Sequence, residues 1–297
     1  MKRFRIPGQR LLAACLFIFC ISSLWGCTAA TRTKMMVDNM KPMMDKMKIA
    51  ANKNSDIELL KDAMPASLVQ LDGFIEISPD NRDLLLRGAE ANAGYAFAFV
   101  KDKNRKRMLN EKARDYALRV LKQNDDFREA FDKSLDDYIA SLDSLGKEDV
   151  PALFFASSSW LQWIALSMTD PEALMDLPKV EAMMERVLEL DETFMYGSIH
   201  AGFGSYYAAR SVTLGGKPVK AKYHFDKAFE LSESKYLVFY LLYARYYAVQ
   251  IQDRELFVET LNKVINAPPN LLPERNLANE IARVKAKELL AEVDEYF

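Results

Sequence analysis

The chain has 297 residues, and half of them are hydrophobic, which is enough for one large domain or a repeat array with a substantial core. Only 11 Gly and 11 Pro are present, and so few turn residues do not suit an all-β protein with many hairpins. The net charge is −2 and becomes −6 once residues 1–26, with four basic and no acidic residues, are set aside. An acidic surface argues against nucleic-acid binding, which depends on neutralising phosphates with Lys and Arg.

The N-terminal residues have the pattern of a secretory signal. An apolar run of 14 residues, Leu11 to Leu24, follows the basic start. It is shorter than the ~20 residues that a spanning helix needs. Leu24-Trp25-Gly26-Cys27 resembles the lipobox of bacterial lipoproteins, in which the peptidase cuts before a lipid-carrying cysteine. We therefore expect residues 1–26 to be removed and Cys27 to be lipidated. The alternative is an uncleaved anchor.

These expectations divide the chain into a signal peptide (1–26), a lipidated tether (27–33) and a single helical domain (34–297). Cys15 and Cys20 leave with the signal, so the mature chain has no possible disulfide and its fold rests on its core. Thr28 stands where an aspartate would, by resemblance to enterobacterial sorting, retain a lipoprotein in the inner membrane. We expect a protein on the periplasmic side of a bacterial outer membrane, attached through its lipid.

Apolar residues recur with the spacing of helix faces. Val180, Met183, Met184 and Val187 fall at i, i+3, i+4 and i+7. The same kind of spacing links Ala113, Ala117, Val120 and Leu121, and again Ala221, Phe225, Ala228 and Phe229. Breakers separate these segments, so we predict an all-α protein of about twelve helices without a significant sheet. We also predict an extra helix over Phe127–Leu145 and a solvated loop over 101–107.

Internal repeats of the tetratricopeptide type are indicated in the second half of the chain. The first half of the repeat pattern is matched by His200, Phe203, Gly204 and Tyr207, and the second half by Ala221, Phe225 and Ala228. Small residues in this pattern let paired helices approach closely, and large ones fill the spaces opposite. We therefore expect a helical-hairpin array with degenerate tetratricopeptide-like repeats, closed and bearing insertions rather than forming a regular superhelix.

Motifs of catalysis are absent. The sequence contains no H-E-x-x-H, C-x-x-C or G-x-S-x-G, and Gly215-Gly216-Lys217 lacks the other residues of a phosphate loop. Of its two histidines, His224 lies between aromatic residues, which favours a packing role. We expect no enzymatic activity, no cofactor and no metal.

Six methionines lie close together near the start of the domain. They are Met35, Met36, Met40, Met43, Met44 and Met47. Clustered thioethers can bind Cu(I), and a copper-holding lipoprotein is one hypothesis. Without Cys or His beside them, the favoured interpretation is a helix face that uses flexible Met as apolar filler.

Aromatic residues form the second notable group. The candidate ligand- or partner-binding residues are Trp160, Trp163, Phe203, Tyr206, Tyr207, Tyr240, Tyr243 and Tyr246. Neighbours such as Tyr206 and Tyr207 point about 100° apart on a helix, so one of each pair is expected to pack inward. That would leave Tyr206, Tyr243 or Tyr246 to line a cleft for an apolar solute with one polar end. Core packing alone is the alternative.

Several segments together resemble the T component of tetratricopeptide-associated TRAP transporters, the TatT family. Besides the lipobox, they are 63–69, 77–81, 94–99, 157–160 and 196–203. The resemblance implies a periplasmic lipoprotein with cryptic tetratricopeptide repeats that forms a trimer. It further implies that the protein acts together with a solute-binding protein, which delivers a ligand to a membrane permease.

Two functions therefore compete. The leading hypothesis is an accessory subunit of solute uptake that docks a TRAP-type solute-binding protein and guides an apolar or organic-acid ligand. The alternative is a tetratricopeptide scaffold lipoprotein for envelope assembly with no small-molecule ligand.

Overall fold

The structure is a computed structural model that describes residues 29–167, 170–210 and 212–297. The predicted signal peptide and Cys27 lie outside these ranges. All regular elements of the described residues are helical, which confirms the all-α prediction. Eleven of the helices found there have ten residues or more, close to the expected twelve.

The helices are numbered in chain order. They are α1 (Ala29–Asp38), α2 (Lys41–Lys53), α3 (Ile57–Ile77), α4 (Arg82–Phe99), α5 (Lys103–Leu121), α6 (Asp125–Ala130), α7 (Leu135–Ser141), α8 (Val150–Ala165), α9 (Pro171–Met175), α10 (Leu177–Asp191), α11 (Phe194–Ala208), α12 (Pro218–Leu231), α13 (Leu237–Leu242), α14 (Arg254–Asn266) and α15 (Asn276–Ala291). A π-helical turn, Tyr243–Ala248, continues α13, and the other helical elements of the described residues are short 3₁₀ turns.

Side-chain caps fix where several of these helices begin. Asp56 accepts a hydrogen bond from the Leu59 amide at 2.9 Å, and Asn81 accepts one from the Leu84 amide at 3.1 Å. Asp102 does the same for Arg105 at 2.8 Å and starts α5. Short oxygen-bearing side chains are preferred here because the first amides of a helix lack partners within it.

Two local expectations were wrong. The predicted loop over 101–107 is mostly helix, because the Asp102 cap starts α5 at Lys103. The predicted helix over 127–145 is broken into α6, α7 and a 3₁₀ turn, because Ser134 caps a new helix. The rings of Phe127, Phe131 and Tyr138 pack together at 5.7–5.9 Å across the break.

Consecutive helices pack side by side from α3 to α15. The closest pairs are α4 with α5, α5 with α8, α8 with α10, α11 with α12, and α14 with α15. The last helix returns to contact α2 and α3 near the start of the fold. Lys101, just after α4, also pairs with Glu288 of α15 at 2.8 Å. The array therefore closes on itself, while its assignment to the tetratricopeptide repeat stays a prediction.

The periodic residues form the core as predicted. Ala113, Ala117 and Leu121 on α5 are fully buried, and so are Ala221, Phe225 and Ala228 on α12. On α10, Val180, Met183, Met184 and Val187 are buried as well. These residues belong to a large central cluster and to smaller ones near the C-terminal end.

Gly204 lies where α11 and α12 approach most closely. A Cβ atom placed there would be 2.7 Å from Cδ2 of Phe225. The prediction that this glycine belongs to a helix–helix contact is therefore confirmed. The absence of a side chain on α11 makes room for the phenylalanine ring on α12.

Replacement of Gly204 by alanine is expected to destabilise the protein. The new methyl would overlap a fully buried ring, and overpacking typically costs about 1–3 kcal/mol. Urea denaturation followed by circular dichroism measures the effect. Gly73→Ala is the matched control, since a Cβ there meets nothing within 4 Å and α3 gains about 0.5–1 kcal/mol. Equal effects of the two substitutions would contradict the packing argument.

Candidate functional site

The eight candidate aromatic residues lie on three elements of the fold. They are on α8, on α11, and on α13 with its π-helical turn. Six of them are buried: Trp160, Phe203, Tyr206, Tyr207, Tyr240 and Tyr243. Only Trp163 and Tyr246 are partly exposed. Most of the predicted band therefore packs the core of the chain.

The expectation that one of Tyr206 and Tyr207 packs inward while the other lines a cleft was wrong. Both rings are buried, and both hydroxyls donate to Glu181 of α10, at 3.0 and 3.3 Å. Burial and the Glu181 carboxylate raise the pKa of Tyr207 to about 12. Because one carboxylate accepts from both hydroxyls, neither ring has to face a cleft. Tyr243 is also buried, in a stack with Tyr247 at 4.9 Å.

The π-helical turn carries the tyrosines that remain closest to solvent. It contains Tyr243, Arg245, Tyr246 and Tyr247, and Tyr246 and Tyr247 are half-buried. The guanidinium carbon of Arg245 lies 5.8 Å from the centre of the Tyr246 ring. A π turn is rare and occurs frequently at functional sites. This turn therefore marks the part of the aromatic band that is placed to meet a ligand.

Three basic side chains lie near one another at this turn and form what we name the inner cationic cluster: half-buried Lys106 of α5, exposed Arg245 of the π-helical turn, and half-buried Lys285 of α15. Burial lowers the pKa of Lys106, and the positive charge of Arg245 lowers it further. Burial lowers the pKa of Lys285 most, Lys106 and Arg245 lower it further, and the Glu288 carboxylate acts in the opposite direction. The Lys285 ammonium also lies 5.4 Å from the centre of the Phe97 ring.

Within the described residues the positive charge of the cluster is only partly compensated, and the carboxylate that acts on Lys285 is Glu288. None of its three cations forms an ion pair with a described residue, and the nearby Glu288 is already paired with Lys101. Half-buried ammonium groups are costly unless an opposite charge accompanies them. The arrangement is therefore suited to hold an anion supplied from outside the chain.

The inner cationic cluster has only a partial signal in the sequence. Lys106 falls in the predicted solvated loop 101–107, yet it precedes Asn110, Ala113 and Ala117 at the spacing of the buried face of α5. That spacing was the available signal. The contributions of Arg245 and Lys285 come from distant segments and had no local signal.

A second group of polar atoms lies around Trp163 on α8. The guanidinium of Arg114 lies 5.1 Å from the Trp163 ring and 5.5 Å from the Trp160 ring. The indole N–H of Trp160 donates to Asp176 at 3.2 Å. Among described groups, neither the indole N–H of Trp163 nor the hydroxyl of Ser159 has a hydrogen-bond partner, although both atoms are buried. Buried donors are normally satisfied, so these two also point to a missing acceptor.

The comparisons with known proteins now identify the family. The model of the TRAP transporter T-component matches residues 53–297. The chain belongs to the TRAP transporter T-component family. An uncharacterized protein of Treponema pallidum (strain Nichols) is similar, with 23% identity over 261 residues, 82% of this chain and 80% of that protein.

Membership confirms the suspected family and makes the protein an accessory component of a TRAP transport system. This family consists of transport accessories rather than enzymes. No group of three or more His, Cys, Asp or Glu side chains among the described residues is arranged to hold a metal ion. In the same part of the chain, no helix is both long and apolar enough to cross a membrane.

The methionines were expected to pack inside a helix face, and that interpretation was wrong. Met35, Met36, Met43 and Met47 are exposed, while Met40 and Met44 are half-buried. For Met43 and Met47 the reason lies in α2, whose inward side carries charged residues that pair with α4, together with Met44, which packs against the core.

The two histidines, buried His200 and half-buried His224, form a pair between α11 and α12. Their Nδ1 atoms are 3.0 Å apart, and Nε2 of His200 contacts Glu192 at 3.3 Å. The His224 ring stacks on Phe203 at 4.9 Å, which agrees with the expected packing role. Burial lowers the pKa of His224 to about 4 and also lowers that of His200.

The histidine pair is expected to make the fold acid-sensitive. The unfolded chain takes up a proton near pH 6.5, whereas folded His224 resists protonation until about pH 4. Its stabilising contribution is therefore complete above pH 6.5 and is lost as the pH falls towards 4. One pKa unit corresponds to about 1.4 kcal/mol, so the loss is on the order of 2–3 kcal/mol.

His224→Phe keeps a ring against Phe203 and removes the titrating group. Urea denaturation at pH 7.5, 5.5 and 4.5 would measure both proteins, and the difference between them isolates His224 from the carboxylates that also titrate. The loss of stability on acidification is expected to be smaller in the variant. Parallel pH profiles would show that the pair does not control acid sensitivity.

Proposed function

We propose that this protein is a periplasm-facing lipoprotein that docks a TRAP-type solute-binding protein and guides an apolar organic acid towards the permease. Family membership supports the transport role. The inner cationic cluster carries the proposal about the ligand, because its three cations lie near one another, form no ion pair with a described residue, and would be balanced by an anion. The partly exposed rings of Phe97 and Tyr246 lie against two of those cations and suit an apolar tail.

The attachment to the membrane is part of the same proposal. Cys27 ends the lipobox-like segment 24–27, and two acyl chains would give stable anchoring where one is marginal. We further propose an outer-membrane location, from Thr28 after the cysteine, and a homotrimer, from the family resemblance.

The scaffold alternative also has an observation in its favour. Six of the eight candidate aromatic residues are packed in the core, and a fully packed band needs no ligand to explain it. A scaffold, however, gives no reason for half-buried lysines without counter-ions. The transport proposal requires the inner cationic cluster to bind an anionic ligand, whereas the scaffold alternative does not.

Calorimetric titration with decanoate tests the ligand. Binding to the acyl-free wild type is expected at micromolar concentrations and is expected to weaken at least tenfold in Lys106→Gln/Lys285→Gln. The double variant is also expected to melt roughly 1–2 °C higher, since it removes like charges that repel each other. If the two lysines instead stabilised the fold, the double variant would melt at a lower temperature than the wild type.

Lys133→Gln/Lys147→Gln is the matched control, with the same change in charge at exposed positions on other elements. Equal binding by the test and control variants, or no binding by the wild type up to millimolar decanoate, would favour the scaffold. Titration with the solute-binding protein of the same transport system then tests docking separately.

The anchor has its own test. Cys27→Ala is expected to leave the precursor uncut at this position and to abolish incorporation of radiolabelled palmitate, because the thioether to diacylglycerol cannot form. Labelled palmitate that persists in the substituted protein would refute lipidation at Cys27. Ser23→Ala, in the same segment, is the control for a general effect on export.

A further inference from the structure

Helix α2 has its apolar side turned outward, which reverses the usual arrangement of a surface helix. A surface helix normally packs its apolar stripe on the core and shows its polar side to water. In α2 no residue is buried. Met43, Met47 and Ala50 follow one another at i, i+4 and i+7 on the outside, and Met43 and Met47 are 50% and 59% exposed.

The inward side of α2 is held by ion pairs. Lys41 pairs with Asp83 at 3.0 Å, Asp45 pairs with Arg87 at 2.6 Å, and Lys48 pairs with Glu90. The partners on α4 have the same i, i+4, i+7 spacing as the residues on α2. This ladder acts together with contacts of α2 to α15 and to residues 273–275, and Met44 packs against the core on the same side. Met43 and Met47 consequently face outward.

Two lysines flank the outward methionines. Lys46 and Lys53 lie on the same side of α2, are exposed, and form no ion pair within the described part of the chain. The acidic residue Asp45 points the other way, towards Arg87. We name the surface made by Met43, Lys46, Met47, Ala50 and Lys53 the Met–Lys face. It combines apolar side chains with uncompensated positive charge.

The position of this face in the chain indicates its occupant. Residues 29–53 carry six basic and two acidic residues, a net charge of +4, whereas residues 54–297 carry −10. Helix α1 begins two residues after Cys27, and the apolar run Leu11–Leu24 precedes it. Helix α1 is in turn held on the fold by buried Val37 and by Asp38, which accepts hydrogen bonds from Ser78 and Asn81. The Met–Lys face is thus fixed close to the end of the chain that leads to the membrane.

From these observations we propose that the Met–Lys face of α2 binds the surface of an anionic phospholipid bilayer. Apolar side chains would enter the interfacial region and the lysines would meet lipid phosphates, as in other interfacial helices. The face lies almost entirely outside residues 53–297, the part that matches the family. The inference is independent of the ligand proposal and does not require acylation of Cys27. Binding would orient the rest of the molecule, whose negative charge is repelled by the same surface.

Co-sedimentation with vesicles tests this inference. The protein from residue 28 onward keeps every described residue and carries no lipid, so any binding must come from the folded chain. It is expected to bind vesicles of phosphatidylethanolamine and phosphatidylglycerol (3:1) at 50 mM NaCl, and to release them at 500 mM NaCl. Met43→Ser/Met47→Ser and Lys46→Glu/Lys53→Glu are each expected to raise the half-saturating lipid concentration at least fivefold.

Matched controls separate this surface from general effects. Met108→Ser/Met175→Ser removes two exposed methionines elsewhere, and Lys133→Glu/Lys147→Glu makes the same change of charge elsewhere. Both are expected to bind as the wild type does. Because α2 has no buried residue, all variants are expected to keep the wild-type circular dichroism spectrum. No binding by the wild type, or equal binding by test and control variants, would overturn the inference.

The other candidate occupant of the Met–Lys face is a second copy of the chain, and light scattering tests this alternative. The oligomeric mass of Met43→Ser/Met47→Ser is expected to equal that of the wild type. A smaller mass together with unchanged vesicle binding would mean that the Met–Lys face joins protomers, and the bilayer proposal would then be wrong.

Discussion

Close contact between small residues on one helix and aromatic rings on the next holds this fold together. All three cysteines lie in the first 27 residues, so no disulfide can support residues 28–297. Burial must therefore supply the stability, at roughly 25 cal/mol for each Å² of apolar surface removed from water. The Gly204–Phe225 contact shows how this is achieved, because α11 and α12 meet at a distance that a single added carbon would obstruct. Gly88 on α4 makes the same kind of contact with the Tyr116 ring on α5, so two of the closest helix pairs are built in this way.

Features of the core could be predicted because they depend on local spacing. The burial of Ala113, Ala117, Ala221 and Phe225 follows from helical periodicity alone, and the family suspected from short segments was correct. The burial of Tyr206 could not be predicted from local spacing. Its burial depends on Glu181, 25 residues earlier, which satisfies its hydroxyl. Periodicity indicates which side of a helix faces inward, but it does not indicate what lies opposite.

The same limit applies to charge. A lysine such as Lys106 resembles any exposed lysine until Lys285, 179 residues further on, is known to lie beside it. Conversely, the Met stripe of α2 resembled an ordinary core face until the ion pairs with α4 showed which side turned inward. Here three charges of α2 pair with α4 on the inward side, and contacts to α15 and to residues 273–275 hold the helix in the same orientation. Long-range pairing thus overrides the apolar pattern at this one helix.

Selection for stability alone gives no reason for either the inner cationic cluster or the Met–Lys face. Replacement of Lys285 by a neutral residue would relieve repulsion, and replacement of Met43 by a polar one would remove exposed apolar surface without disturbing the core. Residues that contradict the local rules of folding without a compensating contact in the same chain are expected at functional sites. The two exceptions are also different in kind, one a partly buried concentration of positive charge and the other an exposed mixture of thioethers and ammonium groups. Each is therefore suited to a different partner, a small anion inside the array and an extended anionic surface outside it.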